Sequence, residues 1–318
     1  MSNKAKVLVA RAIFPDLLTK LEELFEVRSN QADQVLSPEG LKEALAGAEG
    51  ALVTGSERID AAALVNAKNL KIVANISVGY NNFDVSAITA AGVMATNTPD
   101  VLTDTTADFG FALLMATARR ITESERWIRD GKWDKWSIVN NPLGMDLHHS
   151  TIGIIGMGRI GQDLAKRLEP FKVDIAYTGP NKKALSYAYY SNVQDLAKAC
   201  DVLFLACPAT PDTDKMITTE VLDSLGPSGY LINIARGSVV DENALLYALQ
   251  HKKIAGAALD VFENEPNPNT AFSTLDNVLL TPHIGSATLE TRIAMTKLAV
   301  DNLEAFFKQQ TLPSEVNN

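Results

Sequence analysis

Short apolar runs alternate with helix-spaced apolar residues along most of the chain. Lys6–Ala10, Gly50–Thr54, Lys71–Ile76 and Met94–Asn97 are brief and bounded by polar or turn-forming residues, which predicts strands. Between them, Asp16–Leu24 and Pro38–Ala46 carry apolar residues at helical spacing. Such alternation implies a parallel sheet with crossover helices. From about Asp104 to Arg129 the chain reads as one long helix. Its segment Thr106–Met115 is apolar nearly all round, which predicts burial between domains. Gly131–Trp136 and Asn140–Gly144 break the periodicity and read as an extended arm, expected to pack against another copy of the chain. From Ser150 the rhythm restarts, with strands predicted at Thr151–Ile155, Val173–Tyr177, Val202–Cys207, Tyr230–Ile234, Ile254–Leu259 and Val278–Leu280. All are apolar, as strands buried on both faces should be. Leu289–Lys308 predicts a last helix that returns to the first domain.

The 318 residues are enough for two domains. The pattern divides them into residues 1–100 plus 290–318, and residues 101–289. Hydrophobic residues make up 46% and charged residues 21%, which excludes disordered and fibrous classes. No apolar run approaches a membrane span, and Val7–Ala10 is too short for a signal-peptide core, so a cytoplasmic protein is expected. A net charge of −9 argues against nucleic acid as a partner. Cys200 and Cys207 form neither a disulfide framework nor a metal site and read as small buried hydrophobes. No metal is expected.

The sharpest local motif is Gly156-Met157-Gly158-Arg159-Ile160-Gly161. It follows a predicted strand and opens a predicted helix, the context a dinucleotide fingerprint requires. Gly156 would permit the tight turn, Gly158 the approach of a pyrophosphate and Gly161 close helix–strand packing. The next strand ends in Tyr177-Thr178-Gly179-Pro180-Asn181-Lys182-Lys183, without the acidic residue that usually bonds the NAD ribose. Lys182 and Lys183 would neutralise a 2′-phosphate, or are solvated surface lysines. The reading leans to NADP(H), with NAD(H) the alternative, and places Thr178 and Asn181 beside the ribose.

Of the four histidines, His283 alone follows a predicted strand in a polar loop, Thr281–Thr288. Arg236 ends another strand and Glu265 leaves a third. Ligand sites in open α/β sheets lie at strand carboxyl ends, so these three groups point to one site or are independent surface charges.

Taken together, Asn75–Asp84, the glycine fingerprint, Asn233–Gly237, Ala258–Phe262 through Glu265-Pro266, and Pro282–Gly285 resemble the D-isomer-specific 2-hydroxyacid dehydrogenases over nearly the whole chain. Trp133, Trp136, Tyr177–Gly179 and Leu312–Glu315 are most similar to the glyoxylate/hydroxypyruvate and 2-ketogluconate reductases, although Pro180 stands where some of these have Arg. The resemblance implies an α/β fold of two Rossmann-like or flavodoxin-like domains with parallel sheets and an interdomain active-site cleft. It implies an enzyme that reduces small 2-oxo acids (glyoxylate, hydroxypyruvate, with 2-ketogluconate a further candidate) to D-2-hydroxy acids with NADPH, and the Trp-containing arm before residue 150 adds the expectation of a homodimer. In that frame His283 protonates the carbonyl oxygen, Glu265 fixes its tautomer and Arg236 grips the oxo acid. Backbone N–H groups of Val78 and Gly79 receive the carboxylate. Asp260 orients the nicotinamide carboxamide, with Thr106, Ile234, Ala235 and Gly285 lining its pocket. Met157, Arg159 and Ile160 meet the pyrophosphate, and Cys207, Pro208 and Thr213 flank the adenosine half. The rivals are an NAD(H)-dependent dehydrogenase of another acid, such as 3-phosphoglycerate, and a dinucleotide-sensing co-repressor. Formate oxidation is disfavoured because Glu265 stands where that branch has Gln.

Overall fold

The computed structural model describes residues 4–317; residues 1–3 and 318 of the expected first domain lie outside it. Packing divides the chain into two units, one running to Leu102 and resuming at Ala287, the other spanning Thr103–Ser286.

In the first unit the chain runs β1 (Lys6–Val9), α1 (Pro15–Leu24), β2 (Glu26–Ser29), α2 (Pro38–Ala46), β3 (Gly50–Val53), α3 (Ala61–Leu64), β4 (Ile72–Asn75), α4 (Val85–Ala90) and β5 (Met94–Thr96). The five strands are parallel in the order β2-β1-β3-β4-β5, the flavodoxin-like winding. Strands β3 and β4 are buried along their whole length, hence their apolar sequence up to the Asn75 that closes β4. The edge strand β2, mostly exposed and polar, shows no such pattern and was not expected.

The second unit begins with α5 (Thr103–Ala118) and α6 (Ile121–Arg129), where the sequence predicts one helix. The helix breaks at Arg120, which adopts a left-handed φ of 50° and folds its guanidinium onto Glu123. Met145 returns to donate to the Ala118 carbonyl at 2.8 Å, satisfying the broken helix end. The buried face of α5 lies on its own unit's sheet: a Cβ on Gly110 would stand 2.7 Å from the Phe204 ring.

There follow β6 (Thr151–Ile155), α7 (Arg159–Leu168), β7 (Asp174–Thr178), β8 (Ala188–Tyr189), α8 (Val193–Ala199), β9 (Val202–Leu205), α9 (Thr219–Leu225), β10 (Tyr230–Asn233), α10 (Glu242–Gln250), β11 (Gly256–Leu259) and β12 (Val278–Leu280). These seven strands are parallel in the order β12-β11-β10-β9-β6-β7-β8, a Rossmann-like sheet with an apolar core on each face. The chain reverses direction across the sheet between β6 and β9, so a ligand crevice is expected beyond their carboxyl ends. Helix α11 (Leu289–Phe307) then buries Ala299, Val300 and Leu303 with Val7, Leu52 and Ile72 of the first unit's sheet.

Candidate active site

The glycine turn sits at the β6–β9 reversal. Gly156 has φ +97°, and a Cβ there would lie 2.6 Å from the Cys207 backbone, so only glycine lets the two loops abut. A Cβ on Gly161 would meet the Gly156 carbonyl at 2.2 Å, which is why α7 packs so closely. A Cβ on Gly158, by contrast, would meet nothing within 4 Å. The turn is therefore open on the side where the first-turn N–H groups of α7 lack intrahelical acceptors, an arrangement that fits a pyrophosphate. Met157 is buried, Ile160 half-buried and Arg159 exposed.

Beyond β7, Thr178 is buried, while Asn181, Lys182 and Lys183 are exposed. Two tyrosines shape this loop, and one of them, Tyr189, the sequence reading did not single out. The buried Tyr177 hydroxyl accepts the Lys183 N–H at 2.8 Å and donates to its carbonyl at 3.2 Å. Tyr189 donates to the Gly179 carbonyl at 3.2 Å. Across the crevice, Cys207 is buried and Pro208 exposed. The Thr213 hydroxyl accepts from the Thr210 N–H and donates to the Pro208 carbonyl, so it closes its own turn. Burial pushes the Cys207 thiol up to about 11 and the Cys200 thiol to about 12, leaving both as inert thiols.

The carboxyl ends of β10, β11 and β12 carry the acid–base groups. Asn233, buried at the end of β10, accepts the Ala235 N–H at 2.9 Å and donates to the Arg236 carbonyl at 3.0 Å, folding the turn that presents Arg236. Ile234 and Ala235 are buried beneath it. Burial pulls the guanidinium below its ordinary value and the Glu265 charge opposes this, so Arg236 remains a cation. Next along the chain, Gly237 touches the backbone after β11: a Cβ there would fall 1.9 Å from the Phe262 carbonyl carbon. This contact draws the Arg236 and Glu265 loops together.

His283 Nδ1 lies 2.7 Å from Glu265 Oε2, and the Phe262 N–H donates to Glu265 Oε1 at 2.9 Å. Burial alone would push the Glu265 carboxyl up. The hydrogen bond and charge of His283, the Phe262 N–H and the Arg236 charge outweigh that and hold it below its ordinary value. An ionised carboxylate only accepts, so the hydrogen on Nδ1 belongs to His283 and Nε2 is left for chemistry.

His283 itself has a left-handed φ of 54°, a conformation costing a bulky residue about 1–3 kcal/mol. Asp260 holds it there. Its carboxylate accepts from the Thr281 hydroxyl at 2.7 Å, the Ile284 N–H at 2.8 Å and the Gly285 N–H at 2.9 Å, while its carbonyl accepts the His283 N–H at 2.9 Å. Asp260, which the family resemblance gives to the nicotinamide carboxamide, also ties down the His283 loop. Burial pushes its carboxyl up, against these hydrogen bonds and the charge of His283. Thr106 and Gly285 are close to this carboxylate: a Cβ on Gly285 would be 3.2 Å from Asp260 Oδ2 and 3.5 Å from the Thr106 methyl.

In the first unit, Val78 and Gly79 follow β4. The Ser77 carbonyl accepts the Thr98 N–H, and the Val78 and Gly79 carbonyls accept the Asn97 and Asn75 amides. In a trans peptide the N–H opposes the C=O. The Val78 and Gly79 N–H groups therefore point away from these anchors.

Residues 111–285 match the family model described as "D-isomer specific 2-hydroxyacid dehydrogenase, NAD binding domain". The chain belongs to the D-isomer-specific 2-hydroxyacid dehydrogenases. This dehydrogenase is 44% identical over 321 residues to a glyoxylate reductase of Pyrococcus furiosus, covering 99% of this chain and 96% of that protein. It is 38% identical over 317 residues to a 2-ketogluconate reductase of Gluconobacter oxydans, covering 99% and 100%. It superposes with a TM-score of 0.90, at 40% identity, on the NADPH-dependent glyoxylate/hydroxypyruvate reductase of Sinorhizobium meliloti solved with NADP and malonate, covering 99% and 97% of the two chains. The dehydrogenase is thus an oxidoreductase of two parallel α/β units. No described helix is long and apolar enough to cross a membrane.

Proposed function

We propose that the enzyme reduces small 2-oxo acids, glyoxylate and hydroxypyruvate foremost and 2-ketogluconate as a further candidate, to D-2-hydroxy acids with NADPH in the cytoplasm. The observation that carries this reading is the 2.7 Å Glu265–His283 bond beside Arg236 at neighbouring strand ends. When bound, the nicotinamide cofactor supplies hydride to the 2-carbon. His283 Nε2 delivers the proton to the carbonyl oxygen, and the Glu265 carboxylate stabilises the imidazolium before transfer. Arg236 grips the oxo acid and polarises its carbonyl. The Val78 and Gly79 N–H groups take the substrate carboxylate. Thr106, Asp260 and Gly285 border the nicotinamide, and Gly156–Gly161 hold the pyrophosphate. Cys207, Pro208 and Thr213 border the adenosine. A panel of 2-oxo acids assayed with both NADPH and NADH tests this; no turnover of any of them with either cofactor rejects it.

The cofactor choice rests on Thr178–Lys183. With the loop ends held by Tyr177 and Tyr189, the exposed Lys182 and Lys183 are free to approach and neutralise a 2′-phosphate. Lys182→Ala combined with Lys183→Ala is expected to raise the NADPH KM several-fold, more at low salt because exposed charges are screened within about 8–10 Å at physiological ionic strength. NADH kinetics should not move. Thr178→Asp should invert the preference, since a carboxylate accepts the ribose hydroxyl and repels the phosphate. A wild-type enzyme that prefers NADH in kcat/KM would make the two lysines ordinary surface charge.

The arm supports a homodimer. Trp136, Ile138 and Val139 are 73%, 73% and 72% exposed, and Trp133 is 53% exposed. Apolar side chains this concentrated mark a contact surface. Sedimentation should give twice the chain mass, and replacing Trp133 and Trp136 with serine should shift the enzyme to monomer. A wild-type monomer would assign the arm elsewhere.

A further inference from the structure

Glu242 has no part in the chemistry above, yet it is buried, at 8% exposure, at the start of α10. Its Oε1 accepts the Glu263 N–H at 2.7 Å. The preceding N–H, that of Phe262, is the one that Glu265 Oε1 accepts at 2.9 Å. Two glutamates thus hold two consecutive N–H groups of one turn, with Gly237 packed beneath the same peptide. Burial pushes the Glu242 carboxyl up, and the charges of Glu263 and Glu265 add to this, against the Glu263 N–H and Lys215. Lys215 also pairs with Glu263 at 3.4 Å. A carboxylate among two others is poorly placed as a charge and well placed as an acceptor.

We propose that Glu242 is a positioning residue for proton transfer: by holding the Glu263 N–H it fixes the turn that aims Glu265 at His283. The proposal rests on the roles given to Glu265 and His283. It acts through reach, because a carboxylate one methylene shorter cannot hold the same N–H without moving the turn, whereas a glutamine oxygen can.

The test compares Glu242→Asp, Glu242→Gln and Glu242→Ala with Glu265→Gln in the full-length enzyme, using glyoxylate and the preferred cofactor. Glu242→Asp keeps charge and loses reach; kcat is expected to fall about 10–100-fold, the cost of a misaligned catalytic group, with dinucleotide affinity unchanged. Glu242→Gln keeps reach and loses charge, and kcat is expected to stay within about threefold of wild type. Glu242→Ala should behave like Asp. The downfield imidazole N–H resonance of His283 should persist in the Gln variant and weaken in the Asp variant, which loss of stability alone would not produce. Asp and Gln keep a polar group in the site, so this pair decides the question even where Ala fails to fold. Equal kcat in wild type, Asp and Gln, with Glu265→Gln impaired, overturns the proposal. So does a Gln variant as slow as the Asp variant. If Glu265→Gln itself keeps full kcat, the reading of the Glu265–His283 pair falls first and the role of Glu242 falls with it.

Discussion

His283→Asn lowers kcat for 2-oxo acid reduction by about two orders of magnitude or more, the usual contribution of a positioned general acid, while dinucleotide affinity stays near wild type. Asparagine keeps a donor in the site and removes the transferable proton. The left-handed backbone at residue 283 suits asparagine as well as any non-glycine residue, so the loop tied to Asp260 should keep its shape. The loss is therefore chemical. Steady-state kinetics with a fluorescence titration of the cofactor checks it, and near-normal turnover would remove His283 from proton transfer. Because Glu265 is held below its ordinary value, it remains a carboxylate into mild acid. The wild-type rate should therefore not decline on protonation of Glu265 until below the ordinary glutamate range.

Arg236→Ala should damage KM and kcat together, with kcat/KM falling about a thousandfold or more. The guanidinium is proposed to grip the substrate in both ground and transition states, and charge-assisted bidentate bonds are the strong ones. Loss of its charge also removes one of the influences holding Glu265 down. Arg236→Lys should recover only part of the rate, since an ammonium cannot reproduce the planar fork. The check is a substrate titration at saturating cofactor; an effect on cofactor affinity alone would place Arg236 elsewhere.

The legible parts were those where burial dictates composition. Strands covered on both faces write themselves as apolar runs, so β6 and β12 match the sequence reading end to end. The exposed edge strand β2 and the two-residue β8 carry no such constraint and left no pattern. The break at Arg120 was hidden because nothing local breaks the helix there: no glycine or proline interrupts the pattern, and the carbonyl of Ala118 is satisfied by Met145, from the far side of the arm. The glycine fingerprint was readable because Gly156 and Gly161 each answer a short-range clash, while Gly158 leaves its side of the turn open. That His283, Glu265 and Arg236 come together was readable from their places at strand ends. The residues that aim them were not. Asn233 folds its own turn, but Asp260 and Glu242 act on backbone groups of other turns, and only folding reveals which turns meet. The one available signal was a polar residue closing an apolar strand, as Asn233 and Asp260 do.

Helix α11 completes the first unit's core but is encoded after the whole of the second. During synthesis at about 5–20 residues per second, the ribosome spends roughly 10–40 s on Thr103–Ser286 before α11 emerges. Through that interval Val7, Leu52 and Ile72 have no Ala299, Val300 or Leu303 to cover them. The Rossmann-like unit is contiguous and has every strand of its sheet before then. The order in which the two cores can be completed on the ribosome thus inverts the order in which the two units begin in the chain, and until its last helix is made the first unit's sheet has only the α1 region, with Leu21 and Phe25, on that face.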